Sequence, residues 1–131
     1  MNKQYLNKNT NSISLSEAKV LSVLWQNHPL SAKHIAEKLT DESWTYVTIK
    51  TLINRLLKKG FLSFEKEGRQ YLYSATITEK DYLKKENKSF VERMYAGSFS
   101  GLFAAFTQHE KISGQELKEI KKMISEMEKD S

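Results

Sequence analysis

The sequence predicts a mainly α fold (α+β through a single hairpin), divided into a polar tail (1–12), a mixed domain (13–76) and a helical domain (77–131). Three observations predict it. Apolar residues recur at three- and four-residue intervals through most of the chain, the spacing that lines one side of a helix. Around Gly68 the pattern changes to short aromatic-rich runs suited to strands. A serine or threonine stands at cap spacing ahead of each main helical run.

In order along the chain, the first helix is expected from Ser14, which has capping-box spacing to Glu17. Ala18, Leu21, Leu24 and Trp25 form its apolar stripe, with Val20 beside it. Pro29 ends it, since proline disfavours helix in the preceding residue. Ser31 caps a short second helix through Leu39, with Ile35, Ala36 and Leu39 inward, and Thr40 to Ser43 read as a turn. Thr45 caps a third helix that closes at Gly60. Phe61 to Glu65 and Gln70 to Ser74 read as strands, joined through Lys66-Glu67-Gly68-Arg69. From Thr78 the helical period returns, with Tyr82, Phe90, Val91, Met94 and Tyr95 as its apolar positions and Gly97 as a break. Phe99, Leu102, Phe103 and Phe106 form the next segment. A last helix opens at Ser113 and carries Leu117, Ile120, Ile124 and Met127.

Composition removes several classes of function. With 131 residues the chain suits one or two small domains. It has no cysteine, which excludes disulfides, thiolate metal sites and cysteine nucleophiles. No run is apolar enough to span a bilayer and the amino end is no secretory signal, so the expectation is a cytoplasmic protein with no membrane partner. The three histidines, His28, His34 and His109, are spread over a loop, a short helix and a late turn, without metal-ligand spacing. No phosphate loop or nucleophile motif is present. The reading is therefore no enzyme, no metal and no cofactor.

The formal charge of +5 is unevenly distributed. Residues 1–12 carry +2, including Lys3 and Lys8 of the tail, and residues 13–75 carry nine basic and six acidic groups. Residues 76–131 carry ten of each, so the excess lies in the amino-terminal part. The segment from Trp44 to Gly60 is the most informative, with four basic residues (Lys50, Arg55, Lys58, Lys59) and no acid. On a helix, Ile49, Leu52, Ile53 and Leu56 gather on one face. Val47, Thr51, Asn54 and Lys58 centre on the other, flanked by Thr48, Lys50 and Arg55, with Tyr46 nearer the edge. Short polar groups read base edges and cations hold phosphates, so this is the surface a DNA recognition helix needs.

Two helices, a basic helix and a hairpin make the order of a winged helix-turn-helix, whose third helix enters the major groove while the hairpin reaches the backbone. Lys66, Arg69 and Gln70 are the expected wing contacts. The last 55 or so residues present more amphipathic surface than so short a chain buries alone. Packing against the first domain is one solution. Pairing with a second copy is the favoured one, through Phe90, Met94, Phe99, Leu102, Phe103, Phe106, Leu117, Ile120 and Ile124. The alternative function is a winged-helix protein-interaction adaptor without sequence-specific DNA binding. An adaptor would show apolar anchors on the third helix, and only Val47 and Tyr46 fit that description.

Trp44-Thr45, Thr48-Ile49-Lys50-Thr51-Leu52, Arg55-Leu56 and Lys59-Gly60 closely resemble the recognition helix of the BlaI/MecI penicillinase-repressor family. The resemblance extends through Ser14-Leu15-Ser16-Glu17, Val23-Leu24-Trp25, Gly68-Arg69-Gln70-Tyr71-Leu72-Tyr73, Phe90-Val91, Met94-Tyr95 and Gly97, and covers nearly everything from residue 13 onward. It implies a homodimeric repressor on a palindromic double-stranded DNA operator, controlling a β-lactam-resistance or related stress operon. It also implies that Thr48, Thr51 and Arg55 face the groove or the phosphates, with Lys50 close by. Several relatives carry lysine where this chain has Val47. In β-lactam-responsive members a sensor-linked protease cuts an Asn-Phe bond. That bond aligns with Ala105-Phe106, where the phenylalanine matches and the asparagine does not. The copper-responsive branch carries a cysteine-rich end that this chain lacks.

Overall fold

The computed structural model describes residues 12–131. The expected tail, with Lys3 and Lys8, lies outside the described residues apart from Ser12. The elements run α1 (Leu15–Gln26), α2 (Ala32–Lys38), α3 (Tyr46–Lys58), β1 (Leu62–Glu67), β2 (Gln70–Ala75), α4 (Glu79–Tyr95), α5 (Phe99–His109) and α6 (Gly114–Asp130). Two compact units divide between Leu83 and Lys84. The sequence places a boundary after residue 76. The later division arises because Trp25 ties the start of α4 to the first unit. Its indole N–H donates to the Ile77 carbonyl at 2.9 Å, and its ring meets Tyr82.

In the first unit each helix begins where a side-chain oxygen meets its orphan amides. Ser14 and Glu17 complete a reciprocal capping box on α1. Ser31 accepts from the His34 amide, and Thr45 from the Thr48 amide. The carboxyl end of α3 closes through a left-handed Gly60, at φ 85°, with its amide bonded to Leu57 and that of Phe61 to Leu56. A residue with a Cβ resists that φ, so glycine is the economical stop.

The core gathers one face of each helix. Leu21, Leu24, Ile35, Ile53 and Leu56 are fully enclosed, joined by Leu62 and Tyr73 of the hairpin. On α1 the buried stripe is Val20, Leu21 and Leu24, while Ala18 and Trp25 are only half-buried. The hairpin pairs Leu62 with Ala75 through to Glu67 with Gln70, leaving Gly68-Arg69 as a two-residue turn. Gly68 takes φ 63° at the first central position, the requirement of a type II′ turn. Leu30 adds an isolated antiparallel bridge to Tyr73.

The second unit comprises the rest of α4 with α5 and α6. Ser98 caps α5 through the Gly101 amide, and Ser113 caps α6 through that of Glu116. None of the three helices contains a buried residue. Phe90, Met94, Phe99, Phe106, Leu117, Ile124 and Met127 are all exposed, as is Met123. Local propensity and caps define these helices, but their apolar sides remain largely uncovered in a single chain.

Candidate nucleic-acid interface

Helix α3 divides as its periodicity predicts. Ile49, Leu52, Ile53 and Leu56 enter the core. Tyr46, Val47, Thr51, Asn54, Arg55 and Lys58 are exposed, and Thr48 and Lys50, at its margins, are half-buried. Val47 is 72% exposed, an uncovered apolar patch near the amino end of the helix. The hydroxyls are already oriented. Thr51 donates to the Val47 carbonyl at 3.0 Å, and Thr48 shares a hydrogen bond with Thr45 at 3.2 Å. With its proton committed to the helix, the exposed Thr51 hydroxyl keeps acceptor lone pairs that suit a base amino group.

Charge on this surface is concentrated by what is removed from it. Lys59, one of the four basic residues of the segment, is half-buried and engaged away from this surface. Its ammonium donates to Glu17 Oε1 at 2.8 Å and to the Ser12 carbonyl at 2.9 Å. Glu17 is a buried carboxylate that sequence reasoning takes only as a cap, and the same Oε1 also accepts from the Ser14 amide at 2.9 Å. Its second oxygen, Oε2, is enclosed with no partner among the described residues. Burial pushes the Glu17 pKa up, but the Lys59 ammonium and the Ser14 amide and hydroxyl together outweigh it, and the net displacement is downward. Lys19 is likewise engaged, with Glu42. Among the described residues no ion pair holds Lys50, Arg55, Lys58, Lys66 or Arg69. Their charge remains available to phosphate.

The three expected wing residues are not brought onto one surface. Directly opposed residues of an antiparallel pair share a face, and neighbours along a strand alternate. Lys66 opposes Tyr71 and lies on the same face as Phe64 and the buried Tyr73. Phe64 and Tyr71 meet edge-to-face at 4.9 Å, making an aromatic floor beside Lys66. Gln70 opposes Glu67 on the other face, which also carries Glu65. Two carboxylates there disfavour phosphate. Arg69 occupies the turn. No sequence rule separates these positions until the register is known, because a shift of one residue exchanges the faces.

In the second unit the expected interface residues also divide. Phe90, Met94, Phe99, Phe106, Leu117 and Ile124 are exposed, whereas Leu102, Phe103 and Ile120 are half-buried. Ala105 and Phe106 lie within α5, so the backbone joining them is part of a hydrogen-bonded helix.

An exposed third helix of hydroxyls, an amide and unpaired cations, flanked by a hairpin, is the binding unit of the winged-helix DNA-binding repressors, and this chain is of that class. Residues 13–126 match the family described as Penicillinase repressor. The chain is 33% identical to the penicillinase repressor of Bacillus licheniformis over 115 residues, 87% of this chain and 90% of that protein. It is 31% identical to the methicillin resistance regulatory protein MecI of Staphylococcus aureus (strain N315) over 121 residues, 92% of this chain and 98% of that one. The solution structure of the DNA binding domain of the repressor BlaI matches with a TM-score of 0.50 and 36% identity, covering 56% of this chain and 90% of that domain. The chain belongs to the penicillinase repressor family.

Among the described residues no helix is long and apolar enough to cross a membrane.

Proposed function

We propose that the chain acts as a homodimer on a palindromic operator, placing two α3 helices in successive major grooves and blocking transcription by occupancy. The observation that carries this reading is the division of α3. Four apolar side chains are locked in the core, and a continuous exposed surface of Val47, Thr51, Asn54, Arg55 and Lys58 lies opposite them. Thr51 and Asn54 read base edges, Val47 lies against a thymine methyl, and Arg55, Lys50 and Lys58 hold phosphates. Lys66 and Arg69 reach the flanking backbone. Gln70, on the acidic face of the hairpin, contributes least.

The dimer forms through the uncovered apolar sides of α4, α5 and α6, which gives the two DNA-binding units the symmetry of a palindrome. The names of the relatives, a penicillinase repressor and a methicillin resistance regulatory protein, support a β-lactam-resistance or related stress operon as the target. Release by a sensor-linked protease at Ala105-Phe106 would require α5 to open locally, since the bond is helical in the free chain.

Selection of bound duplexes from a random pool tests the reading. Recovery of a two-fold symmetric sequence is the expected result. Failure to enrich any duplex would favour a protein-binding adaptor instead.

A further inference from the structure

Helix α1 lies outside the exposed face of α3, yet two of its charged side chains hold the chain on either side of that helix. Ahead of α3, the Lys19 ammonium pairs with a Glu42 carboxylate oxygen and lies 5.9 Å from the centroid of the Trp44 ring. Glu42 and Trp44 belong to the turn that delivers the N-cap Thr45. Behind α3, Glu17 Oε1 holds the ammonium of Lys59, the residue that caps the carboxyl end. Apolar burial of Ile49, Leu52, Ile53 and Leu56 presses α3 onto the core, but such burial is non-directional and tolerates small slides and rotations. Charge-assisted hydrogen bonds at both ends add a distance-dependent restraint that favours the placement of α3 in which both are made.

We infer that Glu17 and Lys19 are positioning residues that set the axial and rotational placement of α3, and hence the presentation of its exposed side chains, without touching DNA themselves. The inference rests on α3 being the DNA-contacting element proposed above. It treats Lys19 as an internal tether, although by charge alone Lys19 would count among the phosphate-binding cations. The two roles differ in sign. Lys19→Gln removes a positive charge and Glu42→Gln removes a negative one. A purely electrostatic role makes the first weaken DNA binding and the second strengthen it, whereas a tether makes both weaken it.

The test measures binding of the full chain to the selected duplex by fluorescence anisotropy at several salt concentrations. Lys19→Gln, Glu42→Gln, the double variant and Arg55→Ala are compared with the parent chain. The side chains of Lys19 and Glu42 are 42% and 27% exposed, so the fold should survive either change, and melting curves verify this. Each single variant is expected to weaken binding about threefold to tenfold, with an unchanged salt slope, and the double variant to be no worse than either. Glu17→Gln should also weaken binding, although it frees the charge of Lys59. Tighter binding by Glu42→Gln would overturn the inference. So would unchanged binding by both single variants while Arg55→Ala weakens it. If the parent chain bound no duplex, the reading of α3 itself would fall, and the tether with it.

Discussion

Truncation of Phe106 to alanine tests whether a second copy covers the helical unit. Phe106 is 50% exposed in the single chain. An aromatic side chain presents about 150–250 Å², so about 100 Å² of this one waits to be covered. At about 25 cal/mol per Å², covering it contributes about 2.5 kcal/mol per subunit and about 5 kcal/mol for a two-fold pair. Alanine retains a little of that area, and every 1.4 kcal/mol is about tenfold in a dissociation constant. The dimer should therefore weaken by about a thousandfold. Sedimentation equilibrium across micromolar concentrations measures it directly, and circular dichroism verifies that the helices persist in the variant. A variant as dimeric as the parent would refute the assignment of this surface. A parent chain that is monomeric at those concentrations would refute pairing itself.

Other substitutions address the DNA-binding unit. Arg55→Ala should weaken duplex binding and lower the salt slope by about one per subunit, as expected of a lost phosphate contact, and a salt titration reads both. Ile53→Ala should cost about 2–5 kcal/mol in urea unfolding, because Ile53 is fully enclosed and leaves a cavity. Glu17 links stability to pH. Its folded pKa lies below the ordinary value. The ion pair therefore stabilises fully above the unfolded value of about 4.3, and its contribution is lost as pH falls through the folded one. Glu17→Gln should accordingly show a shallower loss of stability below about pH 4.3 than the parent, followed by circular dichroism.

Local interactions make much of this legible in the amino-acid order. Ser14, Ser31, Thr45, Thr78 and Ser113 act within three residues of themselves, so spacing alone locates those helix starts. The buried face of α3 follows from its period. The features that sequence reasoning misses depend on distant partners. Glu17 finds Lys59 across 42 positions and Lys19 finds Glu42 across 23, and nothing in the local pattern distinguishes these lysines from those facing solvent. The wing is hard to group for a related reason. Lys66 and Gln70 look equivalent at a hairpin tip until pairing sets one beside Tyr71 and the other beside Glu67.

The DNA-contacting role of α3 is probed at its source by a backbone and side-chain NMR titration of the chain with its selected duplex. The largest changes are expected at Val47, Thr51, Asn54 and Arg55, with smaller ones at Lys66 and Arg69. Changes confined to α1, α2 or the acidic face of the hairpin, with α3 undisturbed, would contradict that role.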